Sequence, residues 1–159
     1  GNIGRRVADI AKAFGCRVIY YSTSGRNSQP GYERVSFDEL LEQSDIVSIH
    51  APLDENTLGL MNKEAFAKMK KSAILLNVGR GLIINEADLA EALNNKTIAA
   101  AGLDVLSVEP MQEDNPLRGI KDSERLLITP HIAWAGVEAR NRLMGIILGQ
   151  IKEFFKAHE

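Results

Sequence analysis

Among its 159 residues the chain has a single cysteine, Cys16, so an internal disulfide framework is excluded and a reducing, cytoplasmic setting is expected. The expected role of Cys16 is that of a small hydrophobe at the start of a strand. Excess charge is also missing. The formal net charge is −2, which gives no electrostatic reason to expect a nucleic acid or an anionic membrane as partner. No apolar run approaches the roughly 20 residues that span a bilayer, and no signal-peptide pattern opens the chain. Internal repeats, low-complexity tracts and a recognisable metal-ligand set are absent as well. What is present is ordinary for a globular domain with a real core: 45% hydrophobic and 25% charged residues.

The order of elements carries the fold class. Val7, Ile10, Ala11 and Phe14 follow helical spacing over 4–14, and Gly15 stops that helix. "RVIYY" (17–21) is β-branched and aromatic and reads as a strand. A polar loop over 22–32 is punctuated by Gly and Pro. Ser36 with Glu39 forms a capping box for a short helix carrying Leu40 and Leu41. "DIVSIHAP" (45–52) is a strand stopped by Pro52. Asn62 caps a helix running to Met69, and "AILLNVG" (73–79) is the next strand. Asn85 caps a helix with Leu89, Ala90 and Leu93 on one face. "IAAAGLDVL" (98–106) and "LLIT" (126–129) are the last of five strands, with a long loop between them. A helix over about 136–157 aligns Leu143, Ile147, Ile151, Phe154 and Phe155. Alternating helices and strands predict an α/β fold with a doubly wound, mainly parallel sheet and helices on both faces. Near-continuous apolar strands such as "AILL" predict burial on both sides.

"GNIG" opens the first helix with the spacing of the last two glycines of G-x-G-x-x-G. There the backbone approaches a pyrophosphate at a helix N-terminus. The strand that should precede such a turn lies mid-sheet in a dinucleotide-binding domain, and it is not in this sequence. The expectation is a Rossmann-type domain spanning 1–159, truncated at its N-terminal strand and belonging to a longer polypeptide.

Three side chains with chemistry follow successive strands. Arg80, between two glycines in "NVGRG", leaves the carboxyl edge of the sheet, where ligands bind in open α/β folds, and can grip a carboxylate through two parallel bonds. Glu109 in "DVLSVEP" and His131 in "ITPHIAW" follow at the same edge. A carboxylate beside an imidazole favours its protonated form, which suits the ring to act as an acid. His50 and His158 are expected to have no special role.

With Arg80, Glu109 and His131 in that order, the sequence resembles the D-isomer-specific 2-hydroxyacid dehydrogenases in their nicotinamide-binding domain. The resemblance runs through "GNIG", "HAPLDENT", "LLNVGRGLIINEADLAEAL", "AAAGLDVLSVEP" and "ITPHIAW", with a look closest to glycerate and hydroxypyruvate reductases. It implies that Arg80 binds the substrate's carboxylate and carbonyl. Glu109 would pair with His131, and His131 would protonate the keto oxygen while hydride arrives from the nicotinamide. It implies that Gly1, Asn2, Ile3 and Gly4 cradle the pyrophosphate. Pro52 and Thr57 would line the adenosine and phosphate side, and Asp104 would contact the carboxamide and ribose. Ser22 stands where NAD-specific members place an acid. With Arg26 nearby, NADP is a candidate beside NAD.

Ala133 and Trp134 stand where glycine and a small residue are common, and Trp134 either walls the substrate pocket or packs at the helix entry. By the same resemblance the substrate domain is built from the chain's two ends and is absent here. Residues from about 136 onward would run back toward it and help form a homodimer. The competing reading is a non-catalytic NAD(H)-sensing module like the corepressors that resemble this family. A Rossmann-like domain of another enzyme class explains the alternating elements but not the Arg–Glu–His order.

Overall fold

The computed structural model describes residues 1–26 and 28–158; Asn27, within the polar loop, and Glu159, the last residue of the expected domain, lie outside the described residues. The elements in chain order are α1 (Asn2–Ala13), β1 (Ile19–Tyr20), β2 (Glu33–Arg34), α2 (Phe37–Gln43) and β3 (Ile46–Ile49). Next come α3 (Lys63–Lys68), β4 (Ile74–Asn77), α4 (Glu86–Asn94), β5 (Ala100–Leu103), β6 (Leu126–Ile128) and α5 (Val137–Lys156). Two 3₁₀ turns, Pro116–Gly119 and Ser123–Arg125, give form to the long loop before β6.

Local chemistry accounts for most boundaries. Ser36 and Glu39 form the expected capping box, the Ser36 hydroxyl accepting from the Glu39 N–H while the Glu39 carboxylate accepts from the Ser36 N–H. Asn62 caps α3 through the Ala65 N–H, and Asn85 caps α4 through the N–H groups of Ala87 and Asp88. Gly15 ends α1 at φ +85°, a conformation that costs glycine little.

Among the described residues six short strands form, not five, in two separate parallel sheets. β1 pairs with β2, and β3-β4-β5-β6 form a four-stranded sheet in that order. The added strand, β2, consists of two exposed charged residues, so no hydrophobic pattern marks it; backbone pairing with Ile19 and Tyr20 makes it a strand. In the larger sheet Val47, Leu75 and Ala101 stand side by side, as do Ile49, Asn77 and Leu103. All but Asn77 join one hydrophobic core, closed by Leu41 of α2, Phe66 of α3 and Leu89 and Leu93 of α4.

The parallel α/β order agrees with expectation, but burial of both strand faces does not. Ile46, Ile74, Leu76 and Leu127 lie on the opposite face and are exposed. Neither α1 nor α5 contains a buried residue. Their apolar stripes exist, as Ile3 and Ile10 of α1 and Ile151 and Phe154 of α5 show, yet nothing among the described residues covers them. Helical periodicity specifies that a face is apolar, and only tertiary context specifies what lies on it. Cys16 is likewise exposed, contrary to the expectation of a packed thiol, because the short connection to β1 leaves it outside the core.

Candidate active site

The carboxyl ends of β3, β4, β5 and β6 deliver the candidate side chains. β4 ends at Asn77, whose fully buried amide fixes the next turn: its Nδ2 donates to the Arg80 carbonyl at 2.9 Å and its Oδ1 accepts from the Gly79 N–H at 3.0 Å. Arg80 is thereby thrown outward, its guanidinium resting on the Gly79 carbonyl at 2.8 Å and otherwise facing solvent. β5 leads into Asp104. β6 leads into Thr129 and then His131, a non-glycine residue at φ +54°.

Glu109 and His131 meet directly. Nδ1 of the ring lies 2.7 Å from Glu109 Oε2, and both side chains are partly open to solvent. The other carboxylate oxygen accepts from the Leu106 N–H at 2.9 Å. That backbone bond, then the bond and positive charge of the His131 ring, hold the Glu109 carboxyl below the usual glutamate range. With the carboxylate fixing Nδ1, Nε2 is the nitrogen left for a substrate.

This lowered value has a stability consequence whose sign follows from linkage. The native state prefers the ionised carboxylate, so its contribution is present above the titration of an unfolded glutamate. It is lost as pH falls through the lower native value. The stability gap between wild type and Glu109→Gln is therefore expected to be widest near neutrality and to close on acidification. Urea unfolding of both proteins across the acid range checks this, and a gap independent of pH would contradict it.

Asp104 follows the end of β5. It is buried, and it ties down the His131 segment. Oδ1 accepts from the Thr129 hydroxyl at 2.5 Å and the Ile132 N–H at 2.9 Å, and Oδ2 accepts from the Ala133 N–H at 2.8 Å. Burial pushes its pKa up, but the bonds from Thr129, Ala133 and Ile132, with the nearby His131, outweigh it and keep the carboxyl below the ordinary aspartate value. In this arrangement Asp104 holds the backbone on which the ring stands.

A cleft of about 540 Å³ opens beside Arg80, walled by Ile3, His50, Pro52 and the backbone of 78–79. His50 was expected to have no role, but it lines this cleft. Its Nε2 lies 2.9 Å from the Ser48 hydroxyl, and a Cβ on Gly4 would come within 3.3 Å of its own Cβ. Burial lowers its pKa, which favours a neutral ring. Its position at a strand end beside Pro52 was the available signal.

The remaining expected residues are spread around this edge. Gly1 precedes α1, whose first turn has no side-chain cap. Asn2 accepts from Arg5 at 2.6 Å. Thr57 is fully buried, its hydroxyl donating to the Pro52 carbonyl at 2.7 Å, and so sits behind the cleft wall. Ser22 is buried at the end of β1, in a turn closed by the Gly25 N–H on its carbonyl. Exposed Arg26 follows that turn, and Arg34 of β2 reaches the Gly25 carbonyl at 3.0 Å. Trp134 is exposed, with the Arg140 guanidinium 5.7 Å from its ring centre, so it does not pack into the core. The N-terminal turn of α1, held close to His50 at Gly4, and the adjoining cleft together fit a dinucleotide. Among the described residues no group of three acidic, histidine or cysteine side chains is placed to hold a metal, and no helix is long and apolar enough to cross a membrane.

Comparison with known proteins shows the family and the fold. The family model described as D-isomer specific 2-hydroxyacid dehydrogenase, NAD binding domain, matches residues 1–133. A hydroxypyruvate reductase of Blautia hydrogenotrophica is 47% identical over 161 residues, covering 98% of this chain and 48% of that protein. The crystal structure of a D-lactate dehydrogenase from Aquifex aeolicus, complexed with NAD and lactic acid, superposes with a TM-score of 0.88 at 28% identity. The match covers 99% of this chain and 51% of that one. An acyclic imino acid reductase in complex with NADPH and D-Arg superposes with a TM-score of 0.88 at 34% identity, covering 99% and 49%. The chain thus spans about half the length of the curated relatives it matches.

Proposed function

The chain belongs to the D-isomer-specific 2-hydroxyacid dehydrogenases, as their NAD-binding domain, and from that membership we propose that it is the dinucleotide-binding part of an NAD(P)-dependent oxidoreductase interconverting D-2-hydroxy acids and 2-keto acids. In this reading it is one domain of a longer cytoplasmic polypeptide. The substrate domain and the strand between the two sheets come from outside these 159 residues, and the C-terminal helix runs back toward that domain in a homodimer. The observation that carries the proposal is the Glu109–His131 pair, 2.7 Å apart at the sheet edge that also presents Arg80.

The nicotinamide, when bound, supplies or takes the hydride at C2. The chain's own residues do the rest. Gly1, Asn2, Ile3 and Gly4 present the α1 N-terminus to the pyrophosphate, with Pro52 along the cleft, Thr57 bracing that wall, and Ser22 at the adenosine ribose. Arg80 holds the substrate carboxylate through its planar fork and polarises the carbonyl. His131 donates the proton to the keto oxygen from Nε2 and takes it back in the reverse direction. Glu109 keeps the ring turned with Nε2 outward. Asp104 fixes the loop carrying His131 and borders the carboxamide. The absence of an acid at Ser22, with Arg26 and Arg34 beside the same turn, makes room for a 2′-phosphate, so the dinucleotide is NAD with NADP accommodated. The likeness to a hydroxypyruvate reductase supports testing small 2-keto acids first.

The test is turnover by the whole polypeptide, followed by NADH and NADPH absorbance, with hydroxypyruvate, glyoxylate, pyruvate and phenylpyruvate. Oxidation of either dinucleotide with one of these acids is expected. Tight dinucleotide binding without turnover of any 2-keto acid would replace the enzyme with the NAD(H)-sensing module.

A further inference from the structure

Glu86, the first residue of α4, is a buried carboxylate that the chemistry above does not use. Three donors converge on it. Oε1 accepts from the Ser107 N–H at 2.6 Å. Oε2 accepts from the Ser107 hydroxyl at 2.7 Å and from the Asn115 Nδ2 at 2.8 Å. Asn115 is itself fixed, because its Oδ1 accepts from the Leu117 N–H and so turns the NH₂ toward Glu86.

Ser107 neighbours Leu106, whose N–H binds one oxygen of Glu109, and the other oxygen of Glu109 binds His131. A chain of contacts therefore runs from Glu86 to Ser107, along one peptide to Leu106, and on to Glu109 and the ring. Gly81, at the start of the 3₁₀ turn Gly81–Ile83, lies close against the 106–107 peptide, since a Cβ there would lie 1.9 Å from the Leu106 carbonyl carbon. A negative charge at a helix N-terminus is favourable by itself and would need no loop. The three donors from a segment about twenty to thirty residues away are what exceed that role.

We propose that Glu86 is a positioning residue, a latch that sets the 106–107 peptide so that Glu109 meets His131, within the hydroxyacid dehydrogenase reading above. Glutamine at this site is nearly isosteric but replaces one acceptor with an NH₂ that faces a donor. At least one latch bond is thereby lost and the rest are no longer charge-assisted.

The experiment uses the whole polypeptide with ¹⁵N-labelled histidine and reads the His131 Nδ1–H resonance, dinucleotide Kd, kcat and KM. In Glu86→Gln the resonance is expected to weaken or vanish and kcat to fall on the order of tenfold, with the dinucleotide Kd unchanged. In Glu86→Gln/Glu109→Gln the second change should add little to the effect of Glu109→Gln alone, because both act through one carboxylate. A wild-type resonance in Glu86→Gln, or fully additive effects, would overturn the latch. Should Glu86→Gln fail to fold, Ser107→Ala decides: a weakened resonance supports the latch and an unchanged one refutes it. The resonance needs no substrate, so failure of the latch and failure of the enzymatic reading give different results.

Discussion

His131→Asn in the whole polypeptide is expected to reduce kcat for 2-keto acid reduction by about two to four orders of magnitude, the usual worth of a general acid, with the dinucleotide Kd little changed. Asparagine is the informative replacement. His131 sits at φ +54°, a region where most side chains are strained but asparagine is tolerated. Alanine would add a backbone cost to the loss of the ring. The loop should keep its shape in the asparagine variant because its anchors lie elsewhere. Asp104 holds the Thr129 hydroxyl and the N–H groups of Ile132 and Ala133, and the His131 N–H bonds the Thr129 carbonyl. Steady-state kinetics with a fluorescence titration of the dinucleotide separates the two quantities. A variant that keeps kcat within about threefold of wild type would remove His131 from the chemistry.

Gly81→Ala should be among the most damaging single-methyl additions in the chain. The new Cβ would lie 1.9 Å from both the carbonyl carbon and oxygen of Leu106, and 2.4 Å from the Ser107 nitrogen. These are backbone atoms, so no side chain can swing away. The 106–107 peptide is gripped by Glu86 from one side, and the 3₁₀ turn cannot easily retreat on the other. Ile83 within that turn is fully buried, and its carbonyl accepts from the Met61 N–H at 3.0 Å. Overpacking of this kind costs about 3 kcal/mol, the upper end of its usual range, which for a domain of this size lowers Tm by about 10 °C. Activity should fall as well, because Arg80 precedes the glycine and the Leu106 N–H that binds Glu109 adjoins the displaced peptide. Gly119→Ala is the control, since its Cβ would meet nothing within 4 Å. Thermal unfolding of the two variants decides the matter. A Gly81→Ala protein melting with the control would show that the loops yield freely.

Taken alone, the sequence determined the features that depend on neighbours a few residues apart. The capping side chains of Ser36, Asn62 and Asn85, the stop at Gly15 and the order of alternating elements are all short-range matters, and the structure shows each of them. It also determined which residue types follow β4, β5 and β6, and hence that an arginine, a carboxylate and an imidazole stand at one sheet edge. Tertiary structure alone decided whatever depends on residues far apart in the chain. β2 is a strand because another strand lies alongside it, with no pattern of its own. His50 became part of the cleft wall because Gly4 lets α1 approach it. Only the fold brings loops more than twenty residues away to satisfy the carboxylates of Asp104 and Glu86. The open face of the sheet and the exposed stripes of α1 and α5 belong here too. Amphipathic spacing fixes which way an apolar face points along its own element, while burial is settled by what the rest of the polypeptide packs against it.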